Sequence, residues 1–188
     1  PILIGMNDVD QPGGPDELVR VDRSSGVASR LHLFTASGLN YLESLAYDQR
    51  ENLLWTTNGG ALVRIQPVSY AWVVVGNTGL GDVDGLAIQP QSGALYGVTY
   101  GGNDLLRIDK RDAGTVIVNG AVEIGARLED LAFDPTGRLF ILTSRALVEV
   151  DPQTGTRLGR VFLQGATSLE GLVWDDNRGT FLSAADRD

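Results

Sequence analysis

The strongest constraint on this chain is a block of about forty-three residues that it repeats head to tail. Leu18-Val19-Arg20-Val21-Asp22, Leu62-Val63-Arg64-Ile65-Gln66, Leu105-Leu106-Arg107-Ile108-Asp109 and Leu147-Val148-Glu149-Val150-Asp151 share one pattern, at spacings of 44, 43 and 42 residues. A second pattern recurs in Leu42-Glu43-Ser44-Leu45-Ala46-Tyr47-Asp48, Val83-Asp84-Gly85-Leu86-Ala87-Ile88-Gln89, Leu128-Glu129-Asp130-Leu131-Ala132-Phe133-Asp134 and Leu169-Glu170-Gly171-Leu172-Val173-Trp174-Asp175. Its spacings are 41, 45 and 41. In the clearest copy, Leu128–Phe133 is closed by Asp134-Pro135-Thr136-Gly137, and Leu139–Thr143 and Leu147–Val150 follow. Asp151-Pro152-Gln153-Thr154-Gly155 then turns the chain into Arg157–Leu163. These turns have a mechanism: Asp caps the backbone, Pro presets φ, and Gly accepts a positive φ.

Four strands per repeat at this period predict an all-β chain, a β-propeller of four-stranded antiparallel blades with about four to five blades. The repeats place blades at 1–40, 41–80, 81–125 and 126–166, with a partial blade at 167–188, in one domain. First strands such as Leu131-Ala132-Phe133 are apolar on both faces, as strands held between neighbouring blades must be. On the outer strands, alternation predicts Arg30, His32, Arg157 and Arg160 facing out, with Leu31, Leu33, Leu158 and Val161 or Phe162 facing in. Strand counting leaves an oddity: there are four first strands but five second strands, Ile2–Met6 and Thr180–Ala184 being equivalent. Three resolutions are open: a displaced terminal strand, a piece of a longer ring, or pairing with another molecule.

The segments Leu-x-Arg-Ile-Asp…Gly and Leu-Glu-x-Leu-Ala-Phe-Asp-Pro-x-x-Gly-x-Leu-Phe resemble those of bacterial secreted propellers of the NHL, YncE and SMP-30-like type. The resemblance covers nearly the whole chain and implies an extracellular or cell-surface location. Its SMP-30-like branch implies a metal at the channel mouth and lactone or phosphoester hydrolysis, although the Glu, Asn and Asp positions of those enzymes have no match here.

A formal charge of −9 argues against nucleic acid or an anionic membrane as partner. No apolar run approaches the roughly 20 residues that span a bilayer. Without cysteine there is no disulfide, thiol nucleophile or thiolate metal site. His32 is the single histidine, read as a solvated outer-strand residue, so no Ser-His-Asp triad or two-histidine metal site is available.

What remains is a repeated acid. Glu43, Asp84, Glu129 and Glu170 hold one position in successive first strands, and ring symmetry gathers them at one mouth of the channel. Converging carboxylates repel, and a hard cation such as Ca²⁺ relieves the repulsion; hydrogen bonds to adjoining blades are the alternative role. Asp8, Asp10 and Asp16 offer a weaker calcium set in an irregular loop. Tyr41, Tyr70 and Tyr100, at strand ends, are candidates for stacking on a ligand. Ile2, Leu3 and Ile4, with Phe181 and Leu182, are candidates for assembly through terminal strands. The sequence therefore reads as a non-enzymatic binding or structural module, partnered by itself through strand exchange or by another protein. A calcium-dependent hydrolase using the acid ring is the alternative.

Overall fold

A computed structural model of the chain describes residues 3–7, 15–35, 38–39, 41–99, 101–119, 127–165 and 169–185. Every regular element among them is a strand, and within each sheet consecutive strands pair antiparallel. The first sheet is β1 (Leu3–Asn7), β2 (Glu17–Val21) and β3 (Ala28–Leu33). The second is β4 (Ala46–Asp48), β5 (Leu53–Asn58), β6 (Ala61–Ile65) and β7 (Trp72–Asn77). The third is β8 (Val83–Ile88), β9 (Leu95–Thr99), β10 (Leu105–Ile108) and β11 (Thr115–Asn119). The fourth is β12 (Leu128–Phe133), β13 (Leu139–Thr143), β14 (Ala146–Val150) and β15 (Arg157–Phe162). The fifth is the hairpin β16 (Leu169–Asp175) and β17 (Thr180–Ala185). These are the antiparallel blades of a β-propeller, three of them complete with four strands.

The turns behave as their residues dictate. Asp134 Oδ1 accepts from the backbone N–H groups of Thr136 and Arg138, and Gly137 holds a φ of 91° that a side chain would strain. Asp22, Asp109 and Asp151 cap the outer turns in the same way, each accepting from a backbone N–H two residues on.

Packing between sheets makes the core. Leu18, Phe34, Leu54, Val63 and Ile65 fill the space between the first two sheets. Trp55, Leu62, Leu86, Leu95 and Leu106 lie between the second and third, and Tyr96, Leu131, Phe133, Ile141 and Val148 between the third and fourth. Each such side chain contributes about 1.5–3 kcal/mol by leaving water. The hairpin joins the fourth sheet through Phe181, whose ring lies 4.7 Å from Phe140 and 4.9 Å from Trp174.

Charged clasps cross the rim. Lys110, the residue after Asp109 in the β10–β11 turn, reaches back to the second sheet, where its Nζ donates to Asp48 Oδ2 at 2.6 Å and to Glu51. Arg23, the residue after Asp22 in the β2–β3 turn, makes the equivalent contact with Asp175 of the hairpin. The first sheet thus stands to the hairpin as the third stands to the second. Among the described strands, no ladder joins β1 to β16 or β17: both second strands keep their own partners, and the clasp bridges the seam.

The Asp48 side chain is fully buried. Burial alone raises its affinity for a proton, but the Lys110 ammonium and two backbone N–H groups outweigh that and hold it below the ordinary carboxylate range. Lys110→Met therefore leaves a buried anion with only backbone donors. Urea unfolding is expected to show a loss of about 2–3 kcal/mol.

Two expectations are corrected. Leu158, Val161 and Phe162 do not face in: they are 63%, 65% and 63% exposed, because β16 packs on β12 and β13 and, among the described residues, no strand covers β15. His32 is only partly solvated: it is half-buried, its ring stacking on Tyr70 at 4.7 Å and meeting the edge of Phe34 at 4.8 Å.

Candidate functional site: an acidic channel mouth

At the ring centre, the start of each inner strand delivers a polar residue to one shared cavity of about 430 Å³. Glu43 precedes β4, Asp82 and Asp84 open β8, Arg127 and Glu129 open β12, and Glu170 lies at the start of β16. Asp16, Tyr41, Leu42 and Met6 complete the lining. Successive strands of a blade reverse, so all these residues fall at the same end of their sheets. The four acids read from the repeat, Glu43, Asp84, Glu129 and Glu170, all line this cavity.

The geometry is less symmetric than the repeat. Carboxylate oxygens of Glu43, Asp82 and Asp84 lie within 4.8 Å of one another. Glu129 is drawn aside by Arg127, whose Nε sits 3.1 Å from its Oε2. Asp16 is buried and accepts the backbone N–H of Leu42 at 2.7 Å. Asp82 was not read from the sequence, but it had a signal: it stands two residues before Asp84, on the same side of an extended segment. Arg127 belongs to the same register, one residue before its strand.

The crowding shows in proton affinity. Burial, a hydrogen bond with Asp82, and the charges of Asp82, Asp84 and Asp16 push Glu43 up to about 8. Burial and the Asp82 charge push Asp84 up to about 6, against a partial offset from Arg127. Glu129 is raised by burial, again opposed by Arg127. Near neutral pH, Glu43 therefore retains a proton, held in place by its burial and its acidic neighbours.

Polar contacts below the mouth lock the inner strands together. Ser44 and Thr57 share a hydrogen bond at 3.0 Å, and Thr57 Oγ1 donates to the Val83 carbonyl at 2.7 Å. Asp130 accepts from the backbone N–H groups of Leu131 at 2.8 Å and Leu172 at 2.7 Å, tying β12 to β16. Burial pushes Asp130 up to about 8 despite those two donors.

The other candidates are dispersed. Tyr41 borders the mouth and is 58% exposed. Tyr70 lies in the β6–β7 turn, at the opposite ends of the strands, against His32. Ile4 packs partly buried on the first core, Leu3 is half-buried in β1, Phe181 is held by Phe140 and Trp174, and Leu182 pairs with Val173. Tyr100, Ile2, Asp8 and Asp10 lie outside the described residues.

No protein-family model matches the chain, and no curated protein does. Solved structures do. A putative gluconolactonase superposes with a TM-score of 0.70 at 18% identity, covering 98% of this chain and 67% of its own. A gluconolactonase from Xanthomonas campestris gives 0.68 at 15%, covering 94% and 63%. A nidogen/laminin complex gives 0.63 at 15%, covering 86% and 61%. The likeness is one of fold. The chain spans about half to two thirds of the length of the first structures it matches. An auxiliary nutrient binding protein from Bacteroides ovatus matches as well, at a TM-score of 0.55, so proteins described as binders and as enzymes share this fold.

Proposed function

We propose that this chain is a non-enzymatic binding module of a secreted or cell-surface protein, and that its acidic mouth binds a divalent cation. The observation that carries the reading is the convergence of Glu43, Asp82 and Asp84 within 4.8 Å. An all-oxygen, all-carboxylate donor set suits a hard ion such as Ca²⁺, which the three acids would hold while Glu129 stays with Arg127. Bound there, the ion supplies the positive charge that six lining acids and a single arginine lack. Tyr41 offers an exposed ring beside it for a partner's surface.

Calorimetric titration with Ca²⁺ tests this. Binding is expected at micromolar to millimolar metal, weakened about tenfold or more in Glu43→Gln and Asp82→Asn. Because the site carries a proton near neutrality, the binding enthalpy at pH 7 is expected to change with the buffer's ionisation enthalpy, reporting proton release. Absence of binding at millimolar metal overturns the reading.

A second reading, a metal-dependent hydrolase of lactones, is favoured by Asp84, whose affinity for a proton near pH 6 suits a general base. Calcium-dependent turnover of an aldonolactone, abolished in Asp84→Asn, would establish it in place of the first. The assembly form of the binding module uses the outer edge of β17, which among the described residues pairs only with β16. Light scattering after size exclusion tests that form, and a strict monomer removes it.

A further inference from the structure

We propose that the groove between the second and third sheets, remote from the mouth, binds organic anions: a carboxylate seated on Arg64, with an apolar body lying along the valines beside it. The groove encloses about 960 Å³ on the outer rim. Its lining includes one cross-strand row, Trp55, Arg64 and Val73, in register on β5, β6 and β7. Leu62 and Trp55 of this face pack against Leu95 and Leu106 of the third sheet. Outward from that contact the sheets part, and Arg64, Val73, Val75 and Val116 line the opening.

Three observations point to an anion. The first is Trp55: it is 1% exposed, it lines the groove, and its Nε1 has no hydrogen-bond acceptor among the described residues. A buried N–H without an acceptor is costly, and an acceptor oxygen brought to it from the groove would satisfy it. The second is charge. Lys110 is held by Asp48 and Glu51, and Arg111 by Asp109, whereas Arg64 makes no ion pair among the described residues. On a chain of net charge −9, this leaves a local positive site. The third is composition: Val73, Val74 and Val116 are 49%, 46% and 65% exposed along the same opening, which is apolar surface without cover. An exposed guanidinium outside any ion pair among the described residues, an indole donor and an aliphatic wall match an amphipathic carboxylate, and fit neither a cation nor a neutral sugar.

Indole N–H resonances read this directly. The chain has three tryptophans, so the Trp55 peak is assigned by elimination with Trp72→Phe and Trp174→Phe. Hexanoate is expected to move the Trp55 N–H downfield and to saturate in the millimolar range, while 1-hexanol at the same concentration leaves it in place. Arg64→Gln, a change at an exposed residue, is expected to weaken the hexanoate effect about tenfold or more. A Trp55 peak unmoved by hexanoate overturns the proposal. So does equal movement with 1-hexanol, or an unaltered response in Arg64→Gln. Calcium is expected to leave this peak unchanged, so the groove and the mouth stand or fall separately.

Discussion

Raising the pH from 5 to 8.5 in the absence of metal is expected to lower the melting temperature, by roughly 5 °C for a chain of this size. The sign follows from the mouth and the residue beneath it. Glu43, Asp84 and Asp130 have folded-state proton affinities raised to about 8, 6 and 8, well above the ordinary carboxylate values of the unfolded chain. Between those values and the unfolded ones, the folded protein binds more protons than the unfolded one, so stability falls as pH rises. Their contribution is fully present below about pH 4 and is lost as pH climbs through 6 to 8. Asp48 and Asp134 act in the opposite sense: both are held low, so their contribution is present at pH 5 and disappears only in stronger acid. A stability maximum near pH 5 is the combined result. Glu43→Gln is expected to flatten the alkaline limb, and saturating Ca²⁺ at pH 8 to reverse it by preferring the ionised carboxylates. A melting temperature that rises steadily from pH 5 to 8.5 without metal would contradict the raised proton affinities of Glu43, Asp84 and Asp130.

The second large effect is expected at Gly85. A Cβ there would lie 2.6 Å from Asp130 Oδ1, 2.9 Å from the α-carbon of Asp130 and 2.9 Å from a Leu131 methyl. The inner strands of the third and fourth sheets touch through this position, and one partner is main chain that has no rotamer to change. Gly85→Ala is expected to cost about 2–3 kcal/mol in urea unfolding, the scale of overpacking a closed interface. In Gly85→Ala with Asp130→Ala the carboxylate clash is gone, but the new methyl still presses on the main chain and the Leu172 N–H loses its acceptor. The double variant is therefore expected to recover little. Full recovery would mean that only the carboxylate is tight.

Much of this architecture is written in the turns. Asp-x-x-x-Gly spacing sets the β14–β15 and β16–β17 connections because Asp151 and Asp175 cap and Gly155 and Gly179 take positive φ, and such chemistry is local. Convergence of Glu43, Asp84, Glu129 and Glu170 was legible too, since equivalent positions in a ring approach its axis. What a repeat cannot carry is departure from symmetry. Arg127 captures Glu129, and Asp82 joins Glu43, through side chains that belong to single blades. The same limit explains β15: alternation assigned Leu158 an inner face, but whether that face is covered depends on the neighbouring sheet. In the sequence Trp55 is an aromatic on a strand like others, and only the surroundings of its nitrogen set it apart. For Tyr70, strand-end placement was right, but which end of the blade it occupied needed the β6–β7 turn in place.

The contact of Arg23 with Asp175 has a mechanical side. Elsewhere around the circle oil joins neighbouring blades, with Lys110 adding a charged link to one such joint; at this junction, among the described residues, a largely buried guanidinium and a buried carboxylate make the link. Electrolyte screens a pair so placed only weakly, whereas a proton on Asp175 removes the charge outright. Acid strong enough to neutralise Asp175 should therefore spring the hoop at one known place, while the aliphatic joints keep its arc intact.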